Sequence, residues 1–272
     1  MIQDIYPSKL KNEFRNFDIR ETDYLLAFDN DGKIFIGDVD GKAVFLTGKD
    51  IGTNTSVYLF SLDDTRFFLK LGDEPINKEG FGYYTIRDVR DKFSQKDAFV
   101  LFTGYHLWKW YSDNKFCGKC GHSLNVDEKE RALRCPECGN VIYPRINPAV
   151  IVGVIKGEYL LLTKYRRGFA HNALVAGFVE IGETLEETVA REVMEETGIL
   201  VKNIRYYKSQ PWGMAQDILV GFYCEADGDT EIRMDESELK YAAWVKREDI
   251  ELQPNNLSLT NEMMKVFKEG KR

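Results

Sequence analysis

The segment GFVEIGETLEETVAREVMEETGI, from Gly177 to Ile199, crowds Glu192, Glu195 and Glu196 just ahead of a glycine. Like charges on neighbouring helical turns repel, so the cluster needs a positive partner. Helical spacing puts Glu192 and Glu196 on one face, with Glu195 beside them and Glu183 preceding the helix. Converging carboxylates suit hard divalent cations such as Mg2+ or Mn2+, which take oxygen ligands from a few carboxylates, water and substrate phosphates. The plainer alternative is a solvated face whose charges pair as Glu187 with Arg191 or Arg191 with Glu195. Charge alone leaves both readings open.

A second set of residues is suited to metal of another kind. Four of the five cysteines form the pairs Cys117/Cys120 and Cys135/Cys138 within FCGKCGHSLNVDEKERALRCPECGNVIY, a C-x2-C-x14-C-x2-C spacing. Each pair with its following glycine makes a tight knuckle, and two knuckles supply the four thiolates of a tetrahedral Zn2+ site. Four protein ligands leave no open coordination position, so this zinc holds a small ribbon together and does no chemistry. His122, next to the cluster, is a bystander. An odd cysteine count is a poor disulfide framework, and Cys224 stands alone.

Elements must position these groups. Thr184 with Glu187 three residues on is a capping box, so a helix starts there, and Gly198 is placed to end it. Leu185, Val189 and Val193 recur every fourth residue as its buried row. Around it lie strand candidates: AVIVGVI and GEYLLLTKY joined at Lys156-Gly157, then VKNIRYYKSQ, DILVGFYCEA and YAAWV, with a closing helix from Ser258 to Lys268. This order reads as α+β, an α/β/α sandwich. Upstream, turn signals at Gly32 and Gly41 separate short apolar runs that read as hairpins. A helix from Ser94 carries Phe99, Phe102, His106 and Trp110, with Asp97 as part of its capping signal. The expected division is a β-rich domain over 1–113, a zinc ribbon over 114–143 and the sandwich over 144–272. The first domain has no catalytic spacing and reads as structural or dimerising.

The glutamate stretch resembles the Nudix box, G-x5-E-x7-R-E-U-x-E-E-x-G-U with U bulky and aliphatic. Gly177, Glu183, Arg191, Glu192, Val193, Glu195, Glu196, Gly198 and Ile199 fill every position. The resemblance implies hydrolysis of a nucleoside diphosphate linked to another moiety. It implies that Glu192, Glu195 and Glu196 bind catalytic divalent metals, that Glu183 and Arg191 pair as a brace, and that the Ala176 carbonyl adds a ligand. Glu238, in MDESELKYAAW, is the implied further ligand or base.

The order FCGKCG, RCPECG, YPRINPAVIV, box and SQPW is similar to that of zinc-ribbon NAD(H) diphosphatases, over about residues 100 to 272. That family cleaves NADH or NAD to nicotinamide mononucleotide and AMP, usually as a homodimer. By position, Phe178 would stack on a substrate ring, Tyr143 and Glu130 would lie beside the substrate, and the segment from Gln210 would line the site. That segment comprises Gln210, Pro211, Trp212, Gly213, Met214, Ala215, Gln216 and Asp217. Here the chain departs from the family run SQPWPFPxS by reading SQPWGMAQD. Losing two prolines and an aromatic predicts a looser loop, and Asp217 predicts added negative charge where a phosphate or ribose passes. ADP-ribose is therefore an alternative substrate, as is the NAD cap of an RNA 5′ end. A non-catalytic nucleotide-binding role is disfavoured because nothing would maintain the crowded glutamates.

A chain of 272 residues, 43% of them apolar, can bury a sizeable core. A net charge of −7 gives RNA or an anionic membrane no broad basic track. No apolar run is long enough to span a bilayer, and MIQDIYPSKLKNEF lacks a signal-peptide core, so the chain is expected in the cytoplasm.

Overall fold

The Asp-Gly turns set the first hairpins. Asp40 (φ 52°) and Gly41 (φ 75°) both take positive φ, as a tight two-residue turn demands, and join residues Ile34–Val39 to Lys42–Val44 as a hairpin of the computed structural model. At the other turn, Asp29 Oδ1 accepts the N–H groups of Asp31 and Lys33 around Gly32. The structure describes residues 1–52, 54–72, 74–166 and 171–272.

Two compact units emerge, one of residues 3–145 with 213–216, the other of residues 1–2, 146–212 and 217–272. The first contains β1 (Leu10–Lys11), β2 (Tyr24–Leu26), β3 (Ile34–Val39), β4 (Lys42–Val44), β5 (Leu46–Thr47), β6 (Thr55–Leu62), β7 (Thr65–Leu71) and β8 (Phe81–Tyr84). They form a sheet of order β1-β6-β7-β2-β5 and a smaller one of order β4-β3-β8. Leu25, Phe35, Leu46, Tyr58 and Phe68 fill the core between them. Helix α1 (Ile86–Lys92), capped by Thr85 and Asp88, has no counterpart among the elements expected from sequence. Helix α2 (Gln95–Asp113) starts at Ser94, whose side chain accepts the N–H of Asp97, and buries Phe99, Phe102 and Trp110. The ribbon strands β9 (Asn125–Val126), β10 (Leu133–Arg134) and β11 (Val141–Ile142) complete this unit.

The second unit is a six-stranded mixed sheet between two helices. Its strands are β12 (Asn147–Lys156), β13 (Tyr159–Tyr165), β14 (Val175–Phe178), β15 (Leu200–Trp212), β16 (Asp217–Asp227) and β17 (Leu239–Lys246). The order is β15-β16-β12-β13-β17, with β14 also on β12 and only β12 and β16 parallel. Strand periodicity splits the core between two faces. Val150, Val152 and Val154 meet Val189 and Val193 of helix α3 (Leu185–Thr197). Ile151, Leu160 and Leu162 meet Leu259, Met263, Met264 and Phe267 of helix α4 (Leu259–Lys268). This is the α/β/α sandwich expected from the sequence.

Candidate active site

Helix α3 is placed by its ends. Thr184 Oγ1 accepts the N–H of Glu187 at 3.2 Å, and Glu187 Oε2 accepts the N–H of Thr184 at 2.7 Å, so two orphan donors are met reciprocally. Gly198, at φ 71°, turns the chain out of the helix with its N–H on the Met194 carbonyl at 2.9 Å. With Val189 and Val193 held against the sheet, the glutamates are turned toward β14.

The positive partner of the glutamates is Arg191. Its Nε donates to Glu183 Oε1 at 2.6 Å and its Nη2 to Glu183 Oε2 at 2.9 Å, a two-pronged pair. Nη1 donates to Glu192 Oε1 at 2.8 Å and to Glu195 Oε2 at 3.0 Å, and Nη2 also reaches the Phe178 carbonyl at 2.9 Å. The Arg191 bonds hold the Glu183 carboxyl down at about 2, aided by the Glu180 N–H and the Thr188 hydroxyl. Bonding to Glu183 in turn raises Arg191.

Beneath this bridge Glu196 is buried and Glu192 half-buried, while Glu195 stays exposed. Glu196 is 2% exposed, and burial pushes its carboxyl up to about 8, with the charges of Glu192 and Glu238 adding and a Tyr165 bond opposing. Burial likewise raises Glu192. Glu192 lies so close to β14 that a Cβ on Gly177 would sit 1.9 Å from its carboxyl carbon. Glycine is required at 177 for that approach. Glu238 is exposed just before β17, where its carbonyl accepts the Arg166 N–H at 2.9 Å. Ala176 pairs with Ile151 in the sheet.

Sequence reasoning missed Tyr165. Its hydroxyl lies 3.1 Å from Glu196 Oε1 and 3.3 Å from Oε2, 3.1 Å from the Ala176 N–H and 3.4 Å from the Ala176 carbonyl. The only signal in the sequence is its place at the end of the apolar run YLLLTKY.

Carboxylate oxygens such as those of Glu192, Glu195 and Glu196 are hard donors of the kind that Mg2+ or Mn2+ takes. Among the described residues, though, only Cys117, Cys120, Cys135 and Cys138 bring their ligand atoms within 4.8 Å of one another. The two knuckles are built alike: Cys117 N–H bonds the His122 carbonyl and Gly121 N–H the Cys117 carbonyl, as Cys135 bonds Asn140 and Gly139 bonds Cys135. Gly121 and Gly139 both take positive φ, 78° and 69°. An all-sulfur set of this form fits zinc.

The other sequence candidates are scattered. Phe178 is 54% exposed at the end of β14. Tyr143 donates to Glu130 Oε1 at 2.9 Å within the first unit. Gln210 is fully buried, its amide spanning the Leu257 carbonyl at 2.8 Å and the Leu259 N–H at 2.7 Å, which anchors the start of α4. Pro211 is exposed and Trp212 half-buried, both in β15. Gly213 is closely packed: a Cβ on it would lie 2.1 Å from the Phe102 carbonyl of α2, a space no proline fits. Met214 and Ala215 lead to Gln216 (φ 64°), whose Oε1 accepts Arg145 Nη2 at 2.6 Å. Asp217 is only 6% exposed, with Asn147 Nδ2 at 3.5 Å, so its charge is not presented as the sequence reading expects. Burial follows from its place in the β16 ladder beside β12.

A carboxylate helix lies against a mixed sheet, with Arg191 bridging Glu183, Glu192 and Glu195, and residues 145–267 match the NUDIX domain model. Residues 112–143 match the NADH pyrophosphatase zinc ribbon domain, so the chain carries a NUDIX domain preceded by that ribbon. It is similar to the NAD-capped RNA hydrolase NudC of Klebsiella pneumoniae, with 44% identity over 155 residues, 56% of this chain and 59% of that protein. NudC of Citrobacter koseri is 44% identical over 154 residues, with the same shares covered. The chain thus spans 59% of the length of these curated relatives. The crystal structure of a NUDIX hydrolase from Nitrosomonas europaea shares the fold, with TM-score 0.51, 23% identity and coverage of 58% of this chain and 92% of that one.

Proposed function

We propose that this chain hydrolyses the pyrophosphate bond of NADH or NAD, giving nicotinamide mononucleotide and AMP. The observation that carries the reading is the Arg191 bridge, which ties Glu183, Glu192 and Glu195 together beside the buried Glu196, whose carboxyl feels the charges of Glu192 and Glu238. Glu192, Glu195, Glu196, Glu238 and the Ala176 carbonyl would hold Mg2+ or Mn2+. When bound, such ions neutralise pyrophosphate charge and make water a stronger nucleophile at neutral pH. In the hydrolysis the water oxygen joins one phosphorus and the bridging oxygen leaves with the electron pair of the broken P–O bond.

The chain's own residues supply order and charge. The Glu183 and Arg191 pair fixes the loop that precedes α3, so the glutamates are presented by a rigid helix. Arg191 is the resident counter-charge to Glu192 and Glu195, and it limits their repulsion before any cation arrives. The exposed Phe178 ring offers a face for a planar base. Tyr143, Glu130 and the segment Gln210 to Asp217 are assigned to the substrate side by their place in the resemblance. Zn2+ in the four-cysteine ribbon is structural. The active form is a homodimer, and the compartment is the cytoplasm.

A second reading, removal of the NAD cap from RNA, is favoured by the NudC relatives, whose name states that activity. The test is product chromatography after incubation with NADH, NAD, ADP-ribose, NADPH and an NAD-capped RNA in Mg2+ or Mn2+. Nicotinamide mononucleotide and AMP formed fastest from NADH or NAD, and lost in Glu196→Gln, support the first reading. Faster release of nicotinamide mononucleotide from the RNA favours the second. Preference for ADP-ribose would show that the GMAQD loop has redirected the site.

A further inference from the structure

We infer that Tyr165 is a positioning residue: its hydroxyl sets the Glu196 carboxylate and the Ala176 carbonyl in the arrangement that receives the divalent cation. The inference rests on the hydrolase reading above. Three observations carry it.

The first is the hydrogen-bond arithmetic of one hydroxyl. The Ala176 N–H donates to the Tyr165 oxygen at 3.1 Å, and that oxygen has a single proton to give. Glu196 Oε1 at 3.1 Å is nearer than the Ala176 carbonyl at 3.4 Å, so the proton goes to Glu196 when that carboxylate faces a cation. A relay from backbone N–H through phenol to carboxylate then fixes the Glu196 rotamer. The Ala176 carbonyl keeps its lone pairs, as does the remainder of the carboxylate.

The second is the backbone that aims the ring. Register between β13 and β17 shifts between Lys164 and Tyr165, where Lys164 faces Tyr241 but Tyr165 faces Leu239. Such irregularities re-aim a side chain beside a site. The third is burial: Glu196 is 2% exposed, and no other side-chain donor to its carboxylate is found among the described residues. Without the phenol, the buried carboxylate loses its side-chain donor and is left with the Ala176 N–H, which also bonds it directly.

The test is Mn2+ binding, read by electron paramagnetic resonance on zinc-loaded protein without nucleotide, for wild type, Tyr165→Phe, Glu196→Gln and the double variant. Tyr165→Phe keeps the ring and is expected to weaken Mn2+ binding about tenfold, as loss of a bond to a charged group does. On NADH it should lower kcat while KM stays within about twofold, the mark of lost positioning rather than lost substrate contact. In the Glu196→Gln background the same change should weaken Mn2+ no further. Tyr165→Leu, which also removes the hydroxyl, serves if the phenylalanine variant does not fold.

Wild-type Mn2+ affinity in the folded variants overturns the inference, whatever happens to melting temperature. So does an equal loss of affinity on top of Glu196→Gln. A wild-type protein that cleaves no dinucleotide while Tyr165→Phe still weakens Mn2+ would sink the substrate reading and leave the positioning role standing.

Discussion

Arg191 makes five hydrogen bonds from one guanidinium, to Glu183 twice, to Glu192, to Glu195 and to the Phe178 carbonyl. It is the cation that the crowded glutamates require from within the chain. Because Glu183 is held well below its ordinary value, this pair adds stability above the unfolded carboxyl's range. That contribution is lost as pH falls through the window from about 4.5 to about 2, where native Glu183 protonates. Acid-unfolding curves of Glu183→Gln should lie below wild type at pH 6 and converge on it at the acid end. A wild-type curve matched at pH 6 would remove the brace from the account. Gly177→Ala is the steric counterpart, since its Cβ would overlap the Glu192 carboxyl. Steady-state assays should show a loss of about a hundredfold or more in kcat/KM, as displacement of a reacting group by an ångström does.

At the scale of elements, the capping box and the cysteine knuckles are separable sources of order. Thr184→Ala removes the acceptor for the Glu187 N–H and should cost about 1 kcal/mol in denaturant unfolding. Replacing Cys117 and Cys120 together by serine should release the zinc and lower the melting temperature of the unit that contains the ribbon. Atomic absorption and calorimetry read the two effects. A protein with no zinc to lose, melting as before, would contradict a structural metal. Both elements were legible in the sequence because their contacts lie within a few residues: Thr184 to Glu187, Cys117 to Cys120, Cys135 to Cys138. Helix α1 has the same kind of cap, Thr85 with Asp88, but only seven residues to carry a periodic pattern.

For the molecule as a whole, charge and assembly make the predictions. A dimer should appear by light scattering at twice 31.4 kDa. With a net charge of −7, recognition of a capped RNA should rest on the NAD end. Cap removal should then vary with salt about as cleavage of free NAD does, and a much steeper dependence would reveal phosphate contacts along the RNA. The Gly213 to Gln216 segment also acts at this scale, because it clusters with the first unit while the strands it joins belong to the second. Gly213→Pro, which restores a common family residue, would meet the α2 backbone and should lower the melting temperature.

What the sequence determined by itself was whatever short range dictates: the turn at Asp40-Gly41, the buried row Val189 and Val193, the capped helix and the two cysteine knuckles. The α/β/α order followed from where periods of two gave way to periods near four. Tertiary structure decided the rest, where partners lie far apart along the chain. Tyr165 meets Glu196 across 31 residues, and Gln210 is consumed by Leu257 and Leu259 across 47 and 49. Gly213 is pressed against Phe102 of α2, and Asp217 sinks beside Asn147. No local pattern encodes such meetings, because the free energy that selects them is that of packing the strands and helices against one another.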